Sequence, residues 1–417
     1  MECGLIGERL SHSFSPEIHA HIGDYTYELC TLTPEEVAPF LQKRDFRAIN
    51  VTIPYKQTVM PYLDEISEEA LRIGAVNTIV NRGGKLYGYN TDFGGMSAML
   101  AQGGIDVADK KVLILGSGGT AHTARAVCEA RGARQVLTVS RRPQAGQISY
   151  DEALAKHLDA QVLINTTPCG MYPHLDGMAV DPLLFPQLEG VADAVYNPLR
   201  TQFAQRAAQK GIPVRTGLFM LAQQAILAAE LFWDKPISAV RAKEICADVW
   251  RGKENIVLIG MPASGKTTVG KRLAELLGRP FVDLDEEIVK EAGCAITDIF
   301  RNEGEAAFRD RESDAVRQAA MRTGCVIATG GGAILREENV RYLRQNGRLY
   351  FLDRPLEMLR PTDDRPTASD LAALQKRYEE RYGIYCQCCD VRVSADGTVE
   401  AVVNAIKGDF CDDYQGD

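Results

Sequence analysis

The chain has 417 residues and a mass of 45.8 kDa, room for two or three domains. Hydrophobic residues make up 45% and charged residues 25%, which excludes wholesale disorder and allows a sizeable core. A net charge of -9 and a pI near 5.4 weigh against a general nucleic-acid binder, which needs a basic face. The most apolar run, 217–233, is interrupted by Gln223, Gln224 and Glu230 and is shorter than the ~20 residues a bilayer requires, so no membrane span is expected. The first residues, MECGLIGERLSHS, show no signal-peptide pattern. Eleven cysteines without regular spacing fit a reducing cytoplasm. Cys386, Cys388 and Cys389 have no histidine near them, since all six histidines lie at or before His174; free thiols, not a metal site, are expected there.

In chain order, 33–43 and 57–72 read as helices, and 48–53 and 75–80 as strands. Lys111-Val-Leu-Ile-Leu115 is a short aliphatic run leading into a glycine loop, Gly116-Ser-Gly-Gly-Thr-Ala121. Such runs read as buried parallel strands, with a helix to follow. Gln135–Val139 reads as the next strand. An apolar helix is expected over 216–233 and an amphipathic one over 238–251, with Gly252 as a stop and a short polar linker at 251–255. A second aliphatic run, Asn255-Ile-Val-Leu-Ile259, leads into a second glycine loop, Gly260-Met-Pro-Ala-Ser-Gly-Lys-Thr267. Residues 281–285 read as a strand and 409–417 as a frayed acidic tail. Two nucleotide-type starts, about one domain apart, argue for at least two α/β units.

In the first loop, glycines let backbone amides approach a pyrophosphate, and the helix N-terminus adds a favourable dipole. The following strand ends in Ser140-Arg141-Arg142 instead of an acidic residue. Two arginines suit the 2'-phosphate of NADP; a solvated basic turn is the plainer alternative. Upstream, Asn50-Val-Thr-Ile-Pro-Tyr-Lys56 places Lys56 at a strand end. Gly88-Tyr-Asn-Thr-Asp92-Phe-Gly-Gly95 places Asp92 in a glycine-bounded turn. A lysine and a carboxylate together can handle the proton of an alcohol–ketone pair, although spacing alone does not pair these two.

These stretches, with Ser11-His-Ser-Phe-Ser-Pro16, Gly74-Ala-Val-Asn-Thr78, Asn165-Thr-Thr-Pro-Cys-Gly-Met171, Tyr196-Asn-Pro and Met220-Leu-Ala-Gln-Gln-Ala225, make residues 1–250 resemble the shikimate dehydrogenases. The resemblance implies Lys56 and Asp92 as the catalytic pair. It implies Ser13, Ser15, Thr52, Asn77, Asp92, Tyr196 and Gln224 around the substrate, and NADP(H) on Gly116, Ser117, Gly118, Gly119, Thr120, Ala121, Ser140, Arg141 and Arg142. Phe14 stands where the family often has Lys, and His122 is unusual beside the nucleotide loop.

In the second half, Gly260-x-x-x-x-Gly265-Lys266-Thr267 is a full Walker A motif after a strand. Its amides cradle phosphates, Lys266 neutralises their charge, and the Thr267 hydroxyl reaches Mg²⁺. No Lys follows an Asn anywhere in the chain, so the guanine-binding element of a GTPase is missing. About 150 residues after the loop suit a small-molecule kinase. Asp283 and Asp285 alternate on the expected strand and so share a side. One can serve the Mg²⁺ shell while the other accepts from a substrate hydroxyl; a solvated acidic turn is the plainer alternative.

With Gly304-Glu-x-x-Phe-Arg309, Gly330-Gly-Gly332, Arg365-Pro and Arg381-x-x-x-Tyr385, residues 253–407 resemble the shikimate kinases. The resemblance implies shikimate on Asp285, Arg309, Gly331, Gly332 and Arg381, the paired guanidinium forks suiting its carboxylate. It implies ATP on Gly260, Ala263, Ser264, Gly265, Lys266, Thr267 and Thr268, with Arg360 and Arg365 from a lid, and Mg²⁺ at Thr267 and Asp283. Asp285 is the candidate base, Lys266 and Arg365 the charge stabilisers. The lid segment is shorter than usual in that family.

The resulting expectation is an α/β chain. A substrate-binding domain spans 1–95, completed by helices of 217–250. A Rossmann domain spans 96–216 and a P-loop kinase domain 253–407, with a tail at 408–417. Its expected chemistry is NADPH-dependent reduction of 3-dehydroshikimate, then ATP-dependent phosphorylation of shikimate, with no nucleic-acid or membrane partner. Two alternatives stay open: a preference for quinate or NAD, and a degenerate kinase half acting as a ligand sensor.

Overall fold

The computed structural model describes residues 1–10, 13–359 and 371–412. The chain divides into two compact units. The first comprises Met1–Asn197 and Thr201–Trp250; the second comprises Pro198–Arg200 and the residues from Arg251 onwards.

The first unit holds two six-stranded sheets. In one, the strands lie in the order Tyr27–Thr31, Cys3–Gly7, Ala48–Val51, Thr78–Arg82, Lys85–Tyr89 and Glu65–Ile66. The first three are parallel, and Thr78–Arg82 turns antiparallel to Ala48–Val51. It then returns as a hairpin through Gly83 and Gly84, whose φ values of 60° and 86° suit a tight turn. The other sheet is wholly parallel, in the order Val214–Thr216, Gly190–Asp193, Val162–Asn165, Lys111–Leu115, Gln135–Val139 and Gln147–Ile148. The strand order reverses between Lys111–Leu115 and Val162–Asn165, where doubly wound folds leave a crevice for ligand. Lys111–Leu115 is buried along its whole length, as its aliphatic run predicts.

The apolar helix Gly217–Trp233 packs against the helix Thr91–Gln102. Two glycines permit the approach: a side chain at Gly95 would lie 2.9 Å from the Met220 carbonyl oxygen, and one at Gly94 would lie 2.5 Å from Leu227 Cδ1. This pairing brings Gln224 to the N-terminal end of the helix that carries Asp92.

The second unit is a five-stranded parallel sheet in the order Phe281–Asp283, Val326–Ala328, Asn255–Ile259, Gly347–Asp353 and Val391–Ser394. Ile256, Leu258, Leu273, Val326, Tyr350 and Leu352 lie at its core, each essentially inaccessible to solvent.

Three local expectations are corrected. The stretch 57–72 is not one helix: it holds a 3₁₀ turn at Met60–Tyr62, the edge strand Glu65–Ile66 and the helix Glu68–Ile73, which Ser67 starts by capping Ala70 N. The stop expected at Gly252 does not occur. The helix Ala239–Lys253 runs through it, and Arg279 donates to the carbonyls of Arg251 and Glu254, supplying partners at the helix end. Nor does the chain fray at 408: the helix Val399–Asp412 includes it, anchored by the buried ring of Phe410, and Tyr350 donates to Asp409 Oδ2 at 2.7 Å. Residues 413–417 of the expected tail lie outside the described residues.

Candidate functional sites

In the first unit, Lys56 lies in a turn five residues past the end of Ala48–Val51, not at the strand end. Tyr55 anchors the turn, its ring buried and its hydroxyl donating to Leu32 O at 2.6 Å, and the Lys56 carbonyl accepts from Val76 N at 2.8 Å. Asp92 is not in a loop: it occupies the first turn of Thr91–Gln102, which Asn90 starts by accepting from Phe93 N. Asn90 can do so because its own amide donates to Ala75 O at 2.9 Å, fixing the side chain. The two turns meet, and Lys56 Nζ lies 2.5 Å from Asp92 Oδ2 with both side chains partly shielded.

Asn77 lies beside this pair, fully enclosed. Its Oδ1 accepts from Thr91 N at 2.8 Å and its Nδ2 donates to Thr91 Oγ1 at 3.1 Å; Thr91 Oγ1 in turn donates to Gln224 Oε1 at 3.4 Å. Thr91 thus links two predicted substrate residues. Ser13 Oγ donates to Ser15 Oγ at 3.2 Å, and Ser15 hydrogen-bonds the Tyr27 phenol. That phenol donates to Asn50 Oδ1 at 2.7 Å, and Asn50 Nδ2 donates to Thr78 Oγ1 at 3.1 Å. Under this chain the Tyr27 ring stacks on His19 at 3.8 Å, and burial pushes that imidazole down to about 3, so it stays neutral. Thr52 is held by its amide on Ile6 O at 3.0 Å, its methyl against Gly7. Tyr196 packs edge-on to Phe14 at 5.3 Å.

At the nucleotide end, a side chain at Gly116 (φ 106°) would lie 2.8 Å from Thr166 Oγ1, whereas Gly118 and Gly119 face open space. The helix Gly119–Ala130 starts there with Thr120, Ala121 and the exposed His122 in its first turn. Ser117 Oγ and Ser140 Oγ are 3.3 Å apart; Ser140 accepts from Arg142 N, and Arg141 and Arg142 are exposed. Open glycines at a helix N-terminus with two exposed arginines fit a dinucleotide bearing an extra phosphate.

Sequence reasoning missed Asp193, which is buried with no cationic partner among the described residues. Its Oδ1 accepts from Asn165 Nδ2 at 2.9 Å and Val195 N at 3.1 Å, and its Oδ2 accepts from Thr201 Oγ1 at 2.5 Å. Burial pushes the carboxyl up to about 6, against these hydrogen bonds. Asn165 passes the constraint on, accepting from Thr167 N at 3.0 Å and Thr167 Oγ1 at 2.6 Å. Asp193 therefore ties the loop after Val162–Asn165 to the segment that carries Tyr196.

In the second unit, the Walker loop leaves Asn255–Ile259 with Gly260, Ala263 and Gly265 at φ 150°, 63° and 95°. Thr267 and Thr268 open the helix Lys266–Leu277. Lys266 is buried, Nζ donating to the carbonyls of Gly260 and Met261, each at 2.8 Å. Ser264 Oγ is buried with no partner among the described residues, a donor free for a phosphate. Thr267 Oγ1 donates to Asp283 Oδ2 at 2.7 Å, pairing a hydroxyl and a carboxylate that suit a hard cation.

Asp283 and Asp285 do not alternate on one strand. The strand ends at Asp283, which caps the helix Leu284–Ala292 by accepting from Asp285 N at 3.0 Å. The strand passes into a helix at this cap, so the two carboxylates take different partners: Asp283 meets Thr267, and Asp285 approaches Gly330. A side chain at Gly330 would lie 2.9 Å from Asp285 Oδ1 and 2.7 Å from Glu312 Oε1. Arg309 Nη1 donates to Glu312 Oε2 at 2.7 Å and Nη2 to Glu305 Oε1 at 3.1 Å; a side chain at Gly332 would collide with that guanidinium. Burial raises the Glu312 carboxyl above its usual range despite Arg309. Arg381 Nη1 donates to Gly331 O at 3.0 Å. Asp285, Arg309 and Arg381 therefore gather around the glycines Gly330, Gly331 and Gly332. Glu312 was not singled out, although its spacing of three from Arg309 on a helix is a readable sign of an ion pair. Arg360 and Arg365 lie outside the described residues.

Residues 5–79 match the family model "Shikimate dehydrogenase substrate binding domain", and residues 262–409 match "Shikimate kinase". A shikimate dehydrogenase (NADP(+)) of Clostridium perfringens is 39% identical over 247 residues, 55% of this chain and 91% of that protein. The chain belongs to the shikimate dehydrogenase family. Its second half carries a shikimate kinase domain. Among solved structures, a chorismate mutase/shikimate 5-dehydrogenase fusion from Clostridium acetobutylicum is 35% identical with a TM-score of 0.56, covering 59% of this chain and 96% of its own. Shikimate 5-dehydrogenase from Thermus thermophilus, in complex with NADP(H) and shikimate, is 31% identical with a TM-score of 0.54, covering 60% and 99%. These relatives account for the dehydrogenase half, an α/β architecture with a Rossmann sheet; the kinase domain adds a P-loop sheet. Among the described residues, no helix is long and apolar enough to cross a membrane.

Proposed function

We propose that the chain is a bifunctional enzyme: its dehydrogenase half reduces 3-dehydroshikimate to shikimate with NADPH, and its kinase half phosphorylates shikimate with ATP and Mg²⁺. The observation that carries this reading is the presence, in one chain, of a Lys56–Asp92 pair at 2.5 Å and of a Walker loop beside Arg309 and Arg381. Two independent sites then address one metabolite in successive oxidation and phosphorylation states. We assign 1–95 with 217–250 to substrate binding, 96–216 to NADP(H) and 253–407 to the kinase, acting in the cytoplasm.

In the first site, NADPH held on the 116–121 loop would supply the hydride when bound. Lys56 delivers a proton to the developing alkoxide, and Asp92 orients the ammonium. Asn77 and Gln224, linked through Thr91, present amides to hydroxyls; Ser13, Ser15, Thr52 and Tyr196 complete the wall around the acid. Gly118 and Gly119 accept the pyrophosphate, and Arg141 and Arg142 the 2'-phosphate.

In the second site, Arg309 and Arg381 hold the carboxylate, and Asp285 accepts the proton from the attacking hydroxyl. Lys266, Ser264 and the loop amides hold the phosphates. Thr267 and Asp283 would hold Mg²⁺, which offsets phosphate charge when bound. Arg360 and Arg365 are assigned to the nucleotide by resemblance alone.

Incubating the chain with 3-dehydroshikimate, NADPH, ATP and Mg²⁺ tests the proposal. The expected product has the mass of a phosphorylated shikimate, and it requires both nucleotides. Accumulation of unphosphorylated shikimate with ATP intact would remove the kinase half of the reading.

A further inference from the structure

We propose that Tyr385 is a positioning residue for phosphoryl transfer, a strut that sets the spacing between the phosphate loop and the acid-binding glycines. The inference rests on the kinase reading above. Tyr385 is fully buried on the helix Leu371–Cys388, its ring stacked on Phe351 at 5.0 Å and 10°. Its hydroxyl lies 2.5 Å from Gly331 O and 2.9 Å from Gly260 O. Each of those carbonyls also holds a cation: Gly260 O accepts from Lys266 Nζ at 2.8 Å, and Gly331 O from Arg381 Nη1 at 3.0 Å. One phenol therefore joins the carbonyl under the phosphate-side ammonium to the carbonyl under the acid-side guanidinium. Burial raises the phenol well above its ordinary range, so the proton stays on oxygen and the strut does not titrate with the medium.

Each substrate is bound by its own groups. Transfer, however, depends on the distance between a hydroxyl held from the glycine side and a phosphorus held from the loop side, and an error near 1 Å costs about 10²-fold in rate. Removing the hydroxyl therefore acts on kcat more than on either KM. Gly331 O keeps Arg381 and Gly260 O keeps Lys266, so the Tyr385→Phe variant orphans neither carbonyl and retains the stacked ring.

The test compares the full-length chain with its Tyr385→Phe variant, measuring MgADP binding, the KM for ATP and shikimate, and kcat for phosphoryl transfer. We expect MgADP affinity and both KM values within about threefold of the parent, kcat lower by tenfold or more, and dehydrogenase turnover unchanged. A kcat within threefold of the parent overturns the proposal, as does a loss carried by KM alone. Loss of MgADP binding also overturns it, since the phenol would then hold the fold and not the spacing. A parent chain with no phosphoryl transfer defeats the kinase reading and this proposal together; the other adverse outcomes leave the kinase reading intact.

Discussion

Asp193 is a carboxylate buried at the end of the strand Gly190–Asp193, and its replacement has a calculable effect. Three donors converge on it: Asn165 Nδ2, Val195 N and Thr201 Oγ1. Asp193→Ala leaves all three buried and unpaired, at about 1–3 kcal/mol each, so a loss of at least 3 kcal/mol is expected. Asp193→Asn is different. Its Oδ1 can still accept from Asn165 and Val195, and its amide can donate to the Thr201 hydroxyl, which accepts as well as donates. The sign of the pH effect follows from the raised pKa. The folded carboxyl titrates at about 6 against 3.8 for the free group, so the folded state binds the extra proton. Stability from this group is fully present below pH 4 and is lost as pH rises through 6, by about 3 kcal/mol. The asparagine variant lacks this dependence, while every other titration is common to both proteins and cancels. Urea unfolding of the first unit can be followed by fluorescence, since both tryptophans, Trp233 and Trp250, lie in it. The parent should gain on Asp193→Asn as pH falls from 7.5 to 4.5. A difference that stays constant over that range, or an alanine variant as stable as the asparagine variant, would refute the reasoning.

Lys56→Ala should lower dehydrogenase turnover by 10² or more, because the Asp92 carboxylate then faces the substrate without its ammonium, and should leave phosphoryl transfer intact; steady-state rates of both reactions check this, and a matching kinase loss contradicts it. Lys266→Ala should do the reverse, with MgATP affinity falling in calorimetry because the ammonium on the loop carbonyls is gone. Gly332→Ala puts a methyl into the Arg309 guanidinium, which is tied to Glu312 and Glu305 and has little room to yield. The KM for shikimate in the kinase reaction should rise by tenfold or more, the worth of one charge-assisted hydrogen bond, with the KM for ATP within threefold; an unchanged shikimate KM would place the acid elsewhere.

The two glycine loops were legible because their geometry is local. An aliphatic run followed by glycines at set spacing fixes a strand, a tight turn and a helix N-terminus with no help from distant residues, and the parallel sheets follow from that repetition. Apart from 57–72, which breaks into a turn, a strand and a short helix, the differences lie at element ends. Gly252 was expected to stop a helix that Arg279 sustains, and 408–412 were expected to fray where Phe410 docks in the core. Asp283 and Asp285 looked like neighbours on a strand until the cap separated their partners. At Gly252 and at 408–412 a contact from outside the local stretch outweighs the local preference; at Asp283 a local helix cap ends the strand early.

The composition and the order of the motifs by themselves determined that this chain carries two nucleotide-type α/β units, and they supplied the residues proposed for their chemistry. Only the tertiary structure decided that Lys56 meets Asp92, that Thr91 joins Asn77 to Gln224, and that Tyr385 spans two loops far apart along the chain. The reason is that a side chain's type is written at one position. Its partner is set by how strands and helices pack, and no spacing along the chain encodes a distance across a crevice.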